Sequence, residues 1–297
     1  MDPLKFIREV AGASHYRSSP RATLQYAYAK WVYFRHRESS PEKFLEDLGF
    51  DATRALRGFE TWRAELELVI ASVQTGDGCQ GGISLTDGKI LYGLARALRP
   101  EYVVETGVAA GVSTSFLGAA LVENGHGEIF SIELPPNETQ ALALADGSRY
   151  TWQERGVGWS IPESIKRVLG ERHHLILRDV RLALPEILRE IPHVDLFFHD
   201  DLHTPDHMLW EYETVWPKLS PGAVLVSDDV NYGWIEFCKR ARRDSSAFRN
   251  VDRLCALRKS DLPCGQAAFD PGSIATKRRI AEVVPSPSRA TREEIQP

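Results

Sequence analysis

Acidic side chains close one short apolar run after another along this chain. "VVET" carries Glu105, "FSIE" ends at Glu133, "LILRD" at Asp179, "LFFHDD" at Asp200 and Asp201, and "LVSDD" at Asp228 and Asp229. Asp and Glu are mostly solvated surface groups, so one such ending means nothing. Five in succession put carboxylates along one edge of any sheet these runs build. The turn Glu105-Thr-Gly107-Val-Ala-Ala-Gly111-Val-Ser113 follows the first run and opens a helical pattern. Glycines there allow a tight turn and close approach of backbone to a ligand, and a helix N-terminus favours a carboxylate. A plain strand–helix turn is the alternative for the glycines alone. Glu133, closing the next run, stands where a ribose-binding acid is expected, and the pair points to an adenosine-type ligand.

Asp200, Asp228 and Asp229 end adjacent central runs. Three carboxylates converging in a pocket repel one another unless a cation or protons neutralise them. Hard oxygen ligands suit Mg²⁺; the alternative is a metal-free acidic cleft in which Asp228 positions substrate. His203 follows Asp200 by about one helical turn, within reach of an acceptor hydroxyl as a base. A structural histidine is the competing reading. His199 ends its run and is the lesser candidate, either touching cofactor or packing.

These groups need a scaffold. Residues 1–80 read as a helical N-terminal extension: "RATLQYAYAKWVYF" and "FETWRAELELVIASV" mix apolar and charged positions at helical spacing. "SSPEKFLEDLGF" has Ser40 as N-cap, Pro41 in the first turn and Gly49 at the stop. From Gly81 the apolar runs alternate with helical patterns such as "STSFLGAALVEN", "RLALPEILREI" and "PDHMLWEYETVWPKL". Runs apolar on both faces suit parallel strands between helix layers, so the expected fold over 81–260 is α/β, a Rossmann-like doubly wound, mostly parallel sheet. "VDRLCALRK" offers a late strand. The stretch from about Pro135 to Gly170, with "YTWQERGVGWSIPESI", reads as a loop-rich excursion, and 261–297 as a flexible tail. Trp31, Tyr33 and Trp62 line an acceptor pocket, a homodimer surface, or simply core.

The chain has 297 residues, 43% hydrophobic and 26% charged, with a formal net charge of −5. That balance gives no electrostatic reason for a nucleic-acid or anionic-membrane partner. Cys79, Cys238, Cys255 and Cys264 form no CxxC pair and have no histidines at zinc spacing, so they are expected to be reduced thiols. The opening residues do not read as a charged-then-apolar leader, and no apolar run is long enough to span a bilayer. A soluble, cytoplasmic protein is the expectation.

The spacing Glu-x-Gly-x-x-x-Gly-x-Ser is not the Gly-x-Gly-x-x-Gly of nicotinamide enzymes; it resembles motif one of the class I S-adenosylmethionine-dependent methyltransferases. The lead-in "GGISLTDGKILYGLARALRPEYVVETGV" resembles catechol- and caffeoyl-CoA-type O-methyltransferases. "VGWSIPESI", "LILRDVRLALPEIL" and "VDLFFHDDLHTPDHMLWEYETVWPKLSPGAVLVSDDV" are similar to the broader small-molecule group that includes macrolide-sugar O-methyltransferases. The resemblance spans roughly residues 80 to 240. It implies that Gly107 and Gly111 let the backbone pass S-adenosylmethionine, that Ser113 bonds its methionine carboxylate and that Glu105 helps fix its ammonium. It further implies that Glu133 holds the ribose hydroxyls, that Asp179 lies near the adenine and that Ile83 and Ser84 border the cofactor, with packing or turn roles as their alternative. Asp200, Asp228 and Asp229 match the family's metal ligands, the third usually being Asn. His203 falls where related sequences carry His or a catalytic Lys, and Leu202 departs from the family's second acid in that motif. The function implied is metal-assisted methylation of a small-molecule hydroxyl, with Asp200 and His203 at the reacting oxygen. Rival expectations are a metal-independent N- or O-methyltransferase and a cofactor-binding relative that has lost catalysis.

Overall fold

The computed structural model of the chain describes residues 20–74, 82–135, 155–241 and 249–259. Four helices come first: α1 (Pro20–Arg35), α2 (Pro41–Asp47), α3 (Ala52–Ala55) and α4 (Phe59–Gln74). α2 starts as its residue types dictate: the Ser40 hydroxyl accepts from Lys43 N–H at 3.2 Å, and Pro41 occupies the first turn. Helix α5 (Leu85–Leu98) then leads into β1 (Tyr102–Thr106), α6 (Val112–Asn124) and β2 (Glu128–Glu133). α7 (Glu163–Leu169), β3 (His173–Leu177), α8 (Val180–Glu190), β4 (Val194–His199) and α9 (Pro205–Val215) come next. The described chain closes with β5 (Leu219–Asp228), α10 (Tyr232–Ala241), β6 (Arg249–Val251) and β7 (Leu254–Arg258).

The strands form one seven-stranded sheet in the order β3-β2-β1-β4-β5-β7-β6. β1 to β5 pair in parallel, and β7 runs antiparallel to both β5 and β6. This is the expected Rossmann-like, mostly parallel α/β sheet, and "VDRLCALRK" supplies its antiparallel rim. The order reverses between β1 and β4, which opens a crevice beyond their carboxyl ends. Helices cover both faces, which is why β1, β4 and β5 are apolar on both sides.

One core layer joins Phe44, Leu45, Phe59 and Leu66 of α2 and α4 to Ile90, Leu91 and Phe116 of α5 and α6. The other joins Ala29 and Val32 of α1 to Leu184, Tyr212 and Trp234 of α8, α9 and α10. Trp62 packs against the first layer and Tyr33 against the second, while Trp31 is partly exposed and stacks on Tyr28. No helix among the described residues is long and apolar enough to cross a membrane. Cys238 and Cys255 are buried, reduced thiols; Cys79, Cys264, the expected tail and residues 136–154 of the expected Pro135–Gly170 excursion lie outside the described residues, and the end of that excursion carries helix α7 rather than loop alone.

Candidate active site

The acids gather at the carboxyl edge as expected, though not all end a strand. Glu133 and Asp228 are the last residues of β2 and β5, and Asp200 and Asp229 stand one beyond β4 and β5. Glu105 is next to last in β1. Asp179 lies two residues past β3, exposed, as the N-cap of α8, accepting from Arg181 N–H at 2.7 Å.

Gly107 sits at φ +82, and a Cβ there would lie 2.0 Å from the Asp200 carbonyl oxygen. Gly111, at φ +97, would drive a Cβ to 2.4 Å from Ile161 Cγ1. The space beside each glycine is therefore filled by protein: Gly107 lets the β1 turn press against the end of β4, and Gly111 lets residues 158–161 fold over it. Gly158 and Ser160 N–H groups donate to the Ala109 and Ala110 carbonyls, both at 2.9 Å. The end of the tryptophan-rich excursion thus braces the turn, a role no local pattern announced.

Glu105 is fully buried, accepting hydroxyl bonds from Ser113, Thr114 and Ser131. Burial raises its pKa to about 7, against the opposing pull of those donors. Glu105 and Ser113 thus clasp each other inside the turn, and the enclosed Glu105 carboxylate is not presented to a ligand. Glu133 is placed differently. Its Oε2 accepts from Val108 and Ala109 N–H at 2.8 Å, and its Oε1 only from Leu134 N–H at 2.9 Å. A carboxylate oxygen can take a second donor, so Oε1 has room for a ribose hydroxyl. Ile83 is buried in the core. Ser84 caps α5, its hydroxyl lying 2.9 Å from Asp87 Oδ2 and 2.7 Å from Asp252 Oδ2. Both positions carry packing and capping duties.

Donor atoms of Asp200, His203 and Asp228 lie within 4.8 Å of one another. His203 Nε2 is 3.5 Å from Asp200 Oδ1, and its Nδ1 is 3.9 Å from Asp229 Oδ2. Asp229 stands at the rim, 46% exposed, in a left-handed conformation at φ +61. Asn231 fixes the base-bearing loop by donating from Nδ2 to the His203 carbonyl at 3.0 Å. Burial pulls the His203 pKa down, but the three carboxylates more than reverse this and raise it to about 9. Burial and Asp200 push the Asp228 pKa well up, although Arg253 opposes them. Asp228 Oδ2 is ion-paired with Arg253, while Oδ1 is buried without a hydrogen-bond partner. That orphaned oxygen, beside Asp200 and His203, is what a hard cation would satisfy, so the residues fit a divalent metal. Leu202, in place of an acid, points outward and is 56% exposed.

His199 belongs beneath the site. It is fully buried, with Nδ1 2.8 Å from Glu211 Oε2, and Thr106 Oγ1 donates to the same oxygen at 2.8 Å. His207 Nε2 lies 3.1 Å from Glu211 Oε1 and 2.9 Å from Asp201 Oδ1. This network, Asn231 and Arg253 were missed by sequence reasoning.

Residues 104–230 match the family model described as a methyltransferase domain. No curated protein matches the chain. Among solved structures, a putative O-methyltransferase from Klebsiella pneumoniae is similar at 15% identity and TM-score 0.48, covering 68% of this chain and 95% of that one. An O-methyltransferase from Bacillus cereus in complex with SAH gives 16% identity and TM-score 0.47 over 66% and 91%. A third, from Streptomyces achromogenes and in complex with SAM, gives 18% and 0.46 over 66% and 89%.

Proposed function

We propose that this chain, whose residues 104–230 match a methyltransferase-domain family model, transfers the methyl group of S-adenosylmethionine to a hydroxyl of a small molecule, with a divalent cation beside the acceptor. One observation carries the reading: Gly107 presses the cofactor-type turn against Asp200, the first member of the Asp200–His203–Asp228 cluster. Cofactor side and acceptor side therefore meet at the point where the strand order reverses. The sequence's acidic balance and its buried, reduced thiols support a small-molecule enzyme of the cytoplasm.

Bound S-adenosylmethionine supplies a methyl group made electrophilic by its sulfonium. The chain's task is alignment of an acceptor oxygen with the S–CH₃ bond. Glu133 holds the ribose end through Oε1, and the turn it braces fixes the distance to Asp200. As the O–CH₃ bond forms and the S–CH₃ bond breaks, the hydroxyl proton passes to His203 Nε2. Asp200 and Asp228, with Asp229 at the rim, would hold the cation, whose charge would lower the hydroxyl pKa. A cation there would offset the carboxylates that hold His203 protonated, leaving its ring able to accept the proton.

Methyl transfer from labelled S-adenosylmethionine to a panel of sugars, phenols and aliphatic alcohols, with and without EDTA, tests the proposal. Transfer to oxygen that stops on chelation and returns with Mg²⁺ supports it; no transfer to any hydroxyl under either condition overturns it. Arg253 favours a second reading, in which protein cations alone balance the acids and transfer needs no metal. Activity that survives exhaustive chelation selects that reading.

A further inference from the structure

The two acids at the end of β5 already have a cation. Arg253 sits in the hairpin turn between β6 and β7, and its guanidinium pairs with Asp228 Oδ2 while its Nε lies 3.9 Å from Asp229 Oδ1. The turn is fixed from several sides. Asp252 holds a left-handed φ of +45 and its carboxylate meets the Ser84 hydroxyl. Arg253 N–H donates to Asp87 Oδ1 at 3.4 Å, and the Arg253 carbonyl accepts from Asp229 N–H at 3.1 Å. Backbone and β5 are thus tied together while the long side chain stays 47% exposed, with room to swing outward. One of its partners, Asp228, belongs to the Asp200–His203–Asp228 group that fits a divalent cation, and the other, Asp229, stands at that group's rim.

A guanidinium and a metal ion cannot both neutralise one buried carboxylate at close range without repelling each other. We infer that Arg253 is the resident counter-ion of Asp228 and Asp229 and competes with the divalent cation for them, which sets the chain's metal affinity. This rests on the metal reading above. Arg253 holds the acids together while the metal is away. It turns aside when the cation engages the unpartnered Asp228 Oδ1 and the carboxylate it shares with Arg253.

Calorimetric titration of the full chain with Mn²⁺ tests the competition without reference to activity. Arg253→Gln should bind Mn²⁺ about tenfold more tightly than the parent chain, because a charged competitor for a buried carboxylate is gone. Arg253→Lys keeps the charge but not the planar fork, and should tighten binding by about threefold. It also serves if the glutamine variant fails to fold. Arg181→Gln removes an equal charge from α8, outside the cluster, and reports the field alone. Equal Mn²⁺ affinity in the parent and both Arg253 variants, with Asp228→Asn still weakening it, overturns the competition and leaves the metal site standing. So does tightening by Arg181→Gln as large as that by Arg253→Gln. No Mn²⁺ binding by the parent or either Arg253 variant removes the metal reading and the competition with it.

Discussion

His203 and Glu133 divide the proposed chemistry between acceptor and cofactor, and their surroundings make that division testable. His203 is enclosed by carboxylates, with Asp200 and Asp229 on either side of its ring. His203→Ala and Asp228→Ala should cut methyl transfer by about 10²–10⁴-fold while leaving S-adenosylmethionine affinity within a few-fold. Calorimetry in which both variants lose the cofactor altogether would count against these roles. Glu133→Ala should do the reverse, weakening cofactor binding first, because it removes the Oε1 that has room for a second donor and the brace on Val108 and Ala109. Gly107→Ala tests the joint between the halves. A methyl there meets the Asp200 backbone at an unfavourable φ, so the variant should lose at least about 2 kcal/mol in a urea melt. A variant as stable as the parent would mean the contact relaxes at no cost.

Helix α9 shows what an element contributes that its sequence pattern hides. Its periodicity in "PDHMLWEYETVWPKL" predicts a helix, and the helix is there. Nothing in that pattern tells that Glu211 faces inward to bond His199 and Thr106, or that His207, one turn earlier, closes on the same carboxylate. His199 and Thr106 lie on β4 and β1, and pairing across the fold leaves no local period; the His207–Glu211 spacing of one helical turn is local, but which way it faces is not. The Arg253 hairpin and the 158–161 brace escaped for the same reason. The strands and their acids were legible because apolar runs and their endings are local features. For His207, burial lowers the pKa but Asp201 and Glu211 reverse this and lift it from 6.5 to about 9. Burial raises Glu211, yet His199 and His207 bring it from 4.5 down to about 2. A raised histidine stabilises fully below its unfolded pKa and loses that contribution as pH rises through the folded one; a depressed carboxylate stabilises above its unfolded pKa and fails as pH falls through the folded one. The pair therefore gives its full support between pH 4.5 and 6.5. His207→Gln should be less stable than the parent chain in that window, with the difference fading between pH 6.5 and 9. Thermal melts across this range check it, and a gap that stays constant up to pH 9 would show that His207 acts by packing alone.

For the molecule as a whole, the sharpest question is whether residues 1–80 are an appendage or part of the domain. Their composition reads as a helical extension because helical spacing shows an apolar face without showing what it covers. The structure supplies the partners. Phe44, Leu45, Phe59 and Leu66 are buried against α5 and α6, and Ala29 and Val32 join the layer on the opposite face. Trp62 Nε1 donates to Glu123 on α6 at 3.0 Å. Removing this segment would expose the sides of α5 and α6 that these residues cover. Each large apolar side chain withdrawn from burial forfeits about 1.5–3 kcal/mol. The four largest together approach the whole stability of an ordinary domain, about 5–15 kcal/mol. A truncation beginning at Gly82 should therefore fail to fold: its circular dichroism should show no cooperative melt, and it should not bind S-adenosylmethionine. The full chain should melt its helices and sheet together. A truncated protein that stays soluble, melts cooperatively and binds the cofactor would restore the first 80 residues to the status of an extension and confine the domain to the chain from Gly82 onward.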